Sequence, residues 1–332
     1  MKQFKIGNYT FDSPTCLAPM AGVCNVAFRV MARRYGAGLV YSEFVNATAI
    51  SRENEYAIKM MRTAEEERPV SIQLFGSEIE DIKKATQLLQ DKTDIVDFNF
   101  GCPAHQVTCT GAGAALLNEP EKVKQIVEAM VSVSEKPVTV KMRLGMNEKN
   151  ITVLKLAKAV ETAGAAAVAV HGRTLEQQYS GTANWDMIRQ VKEAVNIPVI
   201  GNGDVINEFK AKEMFDATGV DAVMVGRAAC GNPFIFTRIN HYLKTGTFLP
   251  QKDTIDLFFE YVDVWQKYEG LKFTNLKIQA SYFTKGIKNA GQLRIDLVKA
   301  KTVEDVKEIL LKFKDGKTQE REEAVSSTEE VY

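Results

Sequence analysis

Long apolar runs are missing from this sequence. No stretch of about 18 consecutive apolar residues occurs, which is the length that a membrane-spanning helix needs. The first residues, Met1 to Lys5, do not lead into the apolar core of a signal peptide. We therefore expect a cytoplasmic protein with no membrane segment.

Cysteine pairs and histidine clusters are also missing. The cysteines are Cys16, Cys24, Cys102, Cys109 and Cys230, an odd number. No two of them form a C-x-x-C pair, so neither a disulfide framework nor a structural zinc site is indicated. The chain has only three histidines, none in H-x-x-x-H or H-x-H spacing. A catalytic metal is therefore disfavoured.

An overall excess of charge is absent, because 42 basic residues balance 42 acidic ones. This average hides a segregated distribution. Between Leu271 and Lys301, seven basic residues stand against a single acid, Asp296, whereas the stretch after Asp315 is rich in glutamate. The neutral total conceals a basic segment, which suits an anionic partner, and an acidic tail.

What is present is an alternation of short apolar runs with helical stretches. The runs are Thr15–Ala18, Leu39–Ser42, Val70–Leu74, Ile95–Asn99, Val138–Met142, Ala167–His171, Val199–Gly201 and Ala222–Val225. Several of the segments between them keep an apolar period of 3.6 residues. Parallel strands that alternate with helices in this number close most naturally into an α/β fold, the (β/α)8 TIM barrel. The active site of that fold lies at the carboxyl ends of the strands.

The alternation stops near Lys244, and three segments follow from the pattern. Residues 1–245 are predicted to form the barrel domain. Residues 246–314 are predicted to form a small all-helical domain, with a linker at its start. Residues 315–332 are polar, acidic and without periodicity, so we predict a disordered tail.

The polar residues that follow the strands meet at one mouth in such a barrel. They include Glu43, Gln73, Asn99, Cys102, Lys141, Arg143, His171, Arg173, Asn202, Asp204 and Arg227. Glycine-rich turns, 201–204 and 226–228, follow the last two strands, where TIM barrels often bind phosphate. A phosphorylated ligand is expected there, and tight turns alone are the simpler alternative.

Two of these side chains leave several roles open. Lys141 fits either a Schiff-base lysine or a fixed cation beside an anionic ring system. Cys102, between Gly101 and Pro103, fits a nucleophile, a general acid or a structural thiol. A free thiol with a pKa of about 8.5 is mostly protonated at neutral pH, which is the form that donates a proton.

Seven sequence motifs occur in order along the chain. They are Leu17-Ala18-Pro19-Met20-Ala21-Gly22-Val23, Gln73-Leu74-Phe75-Gly76, Asn99-Phe100-Gly101-Cys102-Pro103, Val140-Lys141-Met142-Arg143, His171-Gly172-Arg173-Thr174 with Tyr179-Ser180-Gly181, Asn202-Gly203-Asp204, and Gly226-Arg227-Ala228 with Gly231-Asn232-Pro233. Together they resemble the flavin-dependent tRNA-dihydrouridine synthases, most closely the bacterial B type. The resemblance extends from about Leu17 to Phe313.

The resemblance implies a specific cofactor and reaction. FMN would lie in the barrel mouth, be reduced by NADPH, and pass a hydride from its N5 to C6 of a uridine in the tRNA D-loop. Cys102 would protonate C5 from the other face. The residues implied to bind FMN are Pro19, Met20, Ala21, Gln73, Lys141, His171, Asn202, Gly203, Asp204, Gly226 and Arg227.

The resemblance also implies contacts to the RNA. Asn99 and Arg173 would contact the uracil, which must flip out of the folded tRNA to reach the barrel. Basic residues of the helical domain would bind the phosphate backbone. They are Lys272, Lys277, Lys285, Lys288 and Arg294. The loop Ala104–Thr110, in contrast, lacks the lysines and arginines that relatives commonly place there.

Three rival functions remain at this stage. A dihydroorotate-dehydrogenase-like flavin barrel acting on a free pyrimidine shares the architecture but does not need a basic helical appendage. An RNA-binding helper without activity would not need Cys102, Lys141 and Gln73 together. A Schiff-base aldolase would use Lys141 but leaves Cys102 and the glycine-rich turns unexplained.

Overall fold

The computed structural model describes residues 4–268, 273–287 and 290–329, with side chains up to residue 316. The described chain divides into two compact units. The first unit holds the residues up to Ala229 and then Phe234–Pro250, and the second holds Cys230–Pro233 and the residues from Gln251 onward. None of the helices described in these ranges is long and apolar enough to cross a membrane.

The first unit contains a closed parallel barrel and several shorter strands outside it. Its strands are β1 (Phe4–Ile6), β2 (Tyr9–Phe11), β3 (Thr15–Leu17), β4 (Leu39–Tyr41), β5 (Val45–Asn46), β6 (Val70–Phe75), β7 (Ile95–Phe100), β8 (Val138–Arg143), β9 (Gly145–Asn147), β10 (Asn150–Ile151), β11 (Ala167–His171), β12 (Val199–Asn202) and β13 (Ala222–Val225). The barrel strands are β3, β4, β6, β7, β8, β11, β12 and β13, and the pairing of β4 with β6 closes the ring. The predicted TIM barrel is confirmed.

Helices connect the strands and surround them. They are α1 (Val26–Arg34), α2 (Ala47–Ser51), α3 (Glu55–Met60), α4 (Ile79–Leu88), α5 (His105–Thr108), α6 (Pro120–Val131), α7 (Val153–Thr162), α8 (Trp185–Ala194), α9 (Glu208–Thr218) and α10 (Ile235–Thr245). Polar caps fix where several begin: the side chain of Asn25 accepts a hydrogen bond from the N–H of Phe28 at the start of α1. Gly219, with a φ of +66°, ends α9 in the left-handed conformation that glycine adopts without strain.

The β1–β2 hairpin fills the amino-terminal end of the barrel. Its side chains Phe4, Ile6 and Phe11 are buried in one cluster with residues that begin barrel strands. These residues are Leu39, Ile95, Ala167 and Ala222. This hairpin is not among the elements predicted from the sequence, although a turn at Gly7 between alternating apolar residues indicates it. Only the opposite, carboxyl-terminal end of the barrel is left for a ligand.

The second unit is helical where it is described, as predicted. Its helices are α11 (Thr254–Tyr268), α12 (Phe273–Phe283), α13 (Ala290–Lys299) and α14 (Val303–Glu329). The rings of Phe258, Tyr261 and Phe283 pack together with centroids 5.2 to 6.2 Å apart. α14 continues through residues 315–329, for which the sequence predicts a disordered tail. Its lysine, glutamine, glutamate and alanine residues are good helix formers, and no proline interrupts them.

Truncating the hairpin tests its contribution to the barrel core. Phe11→Ala should lower the free energy of unfolding by about 3–5 kcal/mol, because it removes a buried ring and leaves a cavity. Thr10→Ala, on the exposed face of the same strand, should change it by less than about 1 kcal/mol. Urea denaturation measures both values. Equal small effects would mean that the hairpin is not part of the core.

Candidate functional site

Five predicted site residues lie at the carboxyl ends of neighbouring strands. They are Gln73 on β6, Asn99 on β7, Lys141 on β8, His171 on β11 and Asn202 on β12. The strand registers align Asn99 with Lys141, and His171 with Asn202. The fold therefore brings these residues, which are far apart in the sequence, to one mouth of the barrel.

A chain of hydrogen bonds runs across this mouth to the loop that carries Cys102. The Gln73 Nε2 atom donates to Asp97 Oδ2 at 2.6 Å. The Asn99 Nδ2 atom donates to Gln73 Oε1 at 2.8 Å, and Asn99 Oδ1 accepts from the N–H of Gly101 at 2.8 Å. The amides that we expected to face cofactor and substrate are thus tied to each other and to the Cys102 loop.

Asp97 lies at one end of this series of hydrogen bonds and is not among the site residues predicted from the sequence. Its carboxylate is fully buried and also accepts a hydrogen bond from Thr139 Oγ1 at 2.5 Å. Burial raises the pKa of Asp97 to about 6, although the hydrogen bonds from Thr139 and Gln73 and the charge of Lys141 oppose the increase. A charged residue inside an otherwise apolar strand was the available sequence signal.

The thiol of Cys102 is nearly buried, with 7% of the residue exposed. Burial raises its pKa above the ordinary value, against the lowering effects of the Ala104 N–H and of the cations Lys141 and Arg143. The thiol is therefore neutral at neutral pH. This state suits a proton donor and disfavours a nucleophile, which needs a lowered pKa.

Lys141 is a half-buried cation at the end of β8. Burial and the nearby Arg143 lower its pKa to about 8, while Asp97 and Cys102 oppose the decrease. Its ammonium group makes no hydrogen bond or ion pair with any residue that the structure describes. An ammonium group that remains charged at neutral pH fits a fixed cation better than a Schiff-base amine, and it is suited to an anionic ligand.

Arg143 fastens two loops at the mouth. Its Nε donates to the carbonyl of Gly101 at 3.1 Å, and one Nη donates to the carbonyls of Thr174 and Gln178 at 2.9 Å each. The side chain is buried. Arg143 therefore holds the loop before Cys102 against the loop that follows β11.

His171 is a neutral side chain in a positively charged setting. Burial, together with the charges of Lys141, Arg143, Arg173 and Arg227, lowers its pKa to about 2. Its ring lies against the backbone of residue 203: a Cβ added to that glycine would be 3.1 Å from His171 Cδ2. The site thus keeps the imidazole uncharged beside the glycine-rich turn.

The buried Arg173 and the partly exposed Asp204 form an ion pair next to that turn. Arg173 Nη2 donates to Asp204 Oδ2 at 2.9 Å and to the carbonyl of Gly181 at 2.7 Å. Asp204 also accepts from the N–H of Ala183 at 2.7 Å. Arg173 Nη1 is buried without a hydrogen-bond partner among the described residues. The two side chains brace the loop. The Nη1 group of Arg173, which has no partner among the described residues, is suited to bind an anion.

The ring of Tyr179 interacts with one exposed and one buried guanidinium group, those of Arg227 and Arg143. This ring is half exposed, and the guanidinium groups of Arg227 and Arg143 lie 4.6 Å and 5.7 Å from its centroid. Arg227 itself is exposed. Tyr179 was part of a sequence motif but was not selected as a site residue. Its position at the rim makes it a candidate to contact a ligand.

The segment 19–21 lies beside the turn that follows β13. A Cβ added to Gly226 would be 3.9 Å from Met20 Sδ. The carboxylate of Glu43 accepts a hydrogen bond from the N–H of Gly22 at 2.7 Å, which anchors the end of this segment. Two regions predicted to bind one cofactor are therefore adjacent.

The predicted RNA-binding cations are distributed over the helical unit. Lys277 donates to the carbonyl of Val298 at 2.6 Å, and Arg294 donates to that of Thr284 at 3.2 Å. Lys285 is exposed. The remaining two, Lys272 and Lys288, lie outside the described residues.

One cavity near the candidate site does not coincide with it. A cavity of about 540 Å³ lies beside the Cys102 loop, lined by Asn46, Thr48, Ala49, Arg52, Asn54, Gly76, Ser77 and Thr110. None of the predicted site residues lines it. No group of three or more His, Cys, Asp or Glu side chains in the described part of the chain is arranged to hold a metal. The converging polar side chains define the candidate site.

A glycine behind Cys102 allows a direct test of the loop. Gly113 has a φ of +60°, and a Cβ there would lie 2.8 Å from Val107 Cγ1 and 3.0 Å from the carbonyl oxygen of Cys102. Gly113→Ala should therefore lower the free energy of unfolding by about 1–3 kcal/mol more than backbone strain alone, because it overpacks the loop.

The matched control is Gly111→Ala. Gly111 has a similar φ of +72°, but its nearest neighbour would be 3.9 Å away. It carries the strain of a left-handed residue without the collision. Urea denaturation and the alkylation rate of Cys102 measure the difference, and equal results for the two variants would contradict this account of the loop.

Comparisons with known proteins agree with this geometry. A "Probable tRNA-dihydrouridine synthase" of Rickettsia conorii is 38% identical over 299 residues, which cover 87% of this chain and 90% of that protein. A "tRNA-dihydrouridine synthase B" of Pseudomonas putida is 42% identical over 252 residues, or 75% of this chain and 74% of its own length. The old yellow enzyme homologue of Zymomonas mobilis has a similar fold at 13% identity, with a TM-score of 0.51 over 78% of this chain and 95% of the other.

The family assignment follows from the match along the whole barrel and into the helical unit. The sequence profile described as "Dihydrouridine synthase (Dus)" matches residues 16–320. This range contains Cys102, Lys141, His171 and both glycine-rich turns. The chain therefore belongs to the dihydrouridine synthase family.

Proposed function

We propose that this protein is a tRNA-dihydrouridine synthase that uses FMN and NADPH to reduce the C5=C6 bond of a uridine in the tRNA D-loop. One observation supports the proposal most strongly: a neutral thiol, Cys102, and a cation that has no partner among the described residues, Lys141, share one barrel mouth. Relatives that bear the name tRNA-dihydrouridine synthase support tRNA as the substrate.

The residues at the mouth fit a phosphorylated flavin. The unpartnered Nη1 of Arg173 is suited to an anion, and Arg227 adds an exposed positive charge nearby. Gly226 would let the backbone come close to the ligand, because a Cβ there would lie no nearer than 3.7 Å to another protein atom. At Gly203 a Cβ would lie 2.7 Å from that of Ala183, so this glycine allows the turn to pack against the protein. Asp204 contributes indirectly by positioning Arg173, since its own carboxylate would repel a phosphate.

Other residues would contact the ring system. Pro19, Met20 and Ala21 would pack against one face, and the amide of Gln73 would hydrogen-bond the ring edge. The ammonium group of Lys141 would stabilise the negative charge that develops when the ring is reduced. His171 and Asn202 would line the side nearest to the phosphate. The neutral state of His171 spares the site a further buried charge.

Cys102 supplies the proton in this proposal. When bound, FMN would provide the hydride for C6 of the uracil, and a proton would be needed at C5. The raised pKa of Cys102 keeps that proton on the thiol at neutral pH. Asn99, next to this loop, would orient the uracil. The Gly101 amide and Arg143 hold the thiol in place.

The helical unit would bind the RNA backbone. A base in folded tRNA must be flipped out before it can enter a barrel, and contacts to phosphates hold the RNA during this step. Lys277, Lys285 and Arg294, together with Lys272 and Lys288, are the cations proposed for these contacts. A free pyrimidine would need none of them, which favours tRNA over the small-molecule alternative.

The cofactor assignment can be tested on purified protein. We expect a yellow protein that releases FMN on denaturation, and whose flavin is bleached by NADPH and reoxidised by air. Chromatography of the released flavin and stopped-flow absorbance measure the two properties. The purified enzyme should form dihydrouridine in unmodified tRNA and not from free uridine. A colourless protein that cannot be reconstituted with FMN, or rapid turnover of free uridine, would contradict the proposal.

The role of Cys102 predicts a separation of two half-reactions. Cys102→Ala should leave the reduction of the flavin by NADPH unchanged but lower dihydrouridine formation by about 10²–10⁴-fold, the range of general acid catalysis. Cys109→Ala, which removes the exposed thiol of the same loop, is the control and should retain both activities. Loss of flavin reduction in Cys102→Ala would show that the assigned role is wrong.

A further inference from the structure

We propose that Asp97 is a positioning residue: its carboxylate fixes the direction of the amide chain through Gln73 and Asn99, and thereby places both the cofactor-facing amide and the Cys102 loop. Asp97 is fully buried on β7 and contacts the chain at its first link. The inference rests on the proposed function for its consequences in catalysis. Its structural part can be tested without any cofactor.

The chemistry of a carboxylate dictates the orientation of every later group. An ionised carboxylate only accepts hydrogen bonds, so Gln73 must turn its Nε2 toward Asp97 and its Oε1 away from it. The Oε1 atom in turn requires the Nδ2 of Asn99, which leaves the Oδ1 of Asn99 for the N–H of Gly101. Two groups in this series have a fixed polarity: the ionised carboxylate of Asp97, which only accepts, and the backbone N–H of Gly101, which only donates. Of the two, only Asp97 can be changed by a side-chain substitution.

The surroundings of Asp97 argue against a role in packing alone. Its nearest polar groups are the Thr139 hydroxyl and the Gln73 amide, and the neighbouring titratable groups are Lys141 and Tyr41. None of the described cations forms an ion pair with it. A buried carboxylate without an ion pair is unfavourable for folding, and a neutral residue of the same size would fill the space equally well.

An amide at position 97 would permit the reverse direction. In Asp97→Asn, Thr139 can keep its bond to the side-chain oxygen, and the new N–H group then faces Gln73. In this orientation Gln73 turns over to accept it, and Asn99 turns over in response. The Nδ2 of Asn99 would then face the N–H of Gly101, so two donors meet and the Cys102 loop is released. In the other orientation the Thr139 hydroxyl accepts from the new N–H group, and the N–H of Gly101 is then the only group that fixes the direction of the amides.

The test compares Asp97→Asn with Asp94→Asn. Asp94 is also buried, and it precedes the same strand, where it accepts hydrogen bonds from Arg68 and from the N–H of Val70 at 2.8 Å each. These partners lie at the amino-terminal end of the barrel. Asp94→Asn therefore makes the same chemical change away from the mouth.

Three quantities are measured in a Cys109→Ser background. They are the alkylation rate of Cys102 by iodoacetamide, read by peptide mass spectrometry, the dissociation constant of FMN from reconstituted protein, and the urea midpoint of unfolding. Asp97→Asn should raise the alkylation rate at least threefold in the cofactor-free protein and weaken FMN at least tenfold, without lowering the midpoint. Asp94→Asn should lower the midpoint and leave the other two quantities unchanged.

A double-mutant cycle shows whether Asp97 acts through the amide chain. Gln73→Met removes the next link, so adding Asp97→Asn to it should cause no further rise in alkylation rate. Gln73→Met alone should reproduce the released loop, and this keeps the inference testable if Asp97→Asn does not fold. An alkylation rate of the wild-type value in either single variant would overturn the inference. If wild-type protein binds no FMN, the proposed function fails, but the alkylation result still decides the role of Asp97.

Discussion

Closure of eight parallel strands is the constraint on which the site depends. Since all barrel strands run in one direction and β4 pairs with β6, residues from β6 to β12 meet at the same mouth. The β1–β2 hairpin fills the opposite end, so a ligand has one way in. Cys102 lies on the loop after β7 and not on a strand, so strand pairing does not fix its position. Its position is therefore secured by contacts, from the Gly101 amide, Arg143 and the backbone beside Gly113.

Positive charge is the second feature of the mouth, and the cations there have different duties. Arg143 and Arg173 are buried and use their N–H groups on backbone carbonyls and on Asp204. Lys141 has no such partner among the described residues. The combined field of these groups helps to keep His171 neutral. The arginines thus stabilise the loops of the mouth, whereas the ammonium group of Lys141 is available to interact with an anionic ligand. Because the arginines are engaged by described residues and Lys141 is not, a site with several cations can still stabilise the charge of a single ligand.

The barrel and the ends of its strands could be predicted because parallel strands buried on both faces appear as apolar runs, each followed by a polar residue. Every predicted strand is present with its ends shifted by at most one residue. The hairpin was missed because each of its short strands has a polar residue between two apolar ones and so does not form an apolar run. Asp97 was missed because its importance lies in hydrogen-bond direction, which depends on partners from β6 and β8. The position of Arg173 in the sequence likewise could not show that its side chain is buried and holds the loop through Asp204 and the carbonyl of Gly181.

Asp97 shows that the site is not arranged for folding alone. Its pKa of about 6, against an ordinary value of 3.8, means that the folded state binds the proton more tightly than the unfolded chain does. The contribution of Asp97 to stability is therefore fully present below about pH 4 and is lost as the pH rises through about 6. At neutral pH the ionised form disfavours folding by about 3 kcal/mol, since each pKa unit is worth about 1.4 kcal/mol. A neutral side chain would avoid this cost, but an amide there could both donate and accept, and the direction of the Gln73 and Asn99 amides would then be fixed from one end only, by the N–H of Gly101.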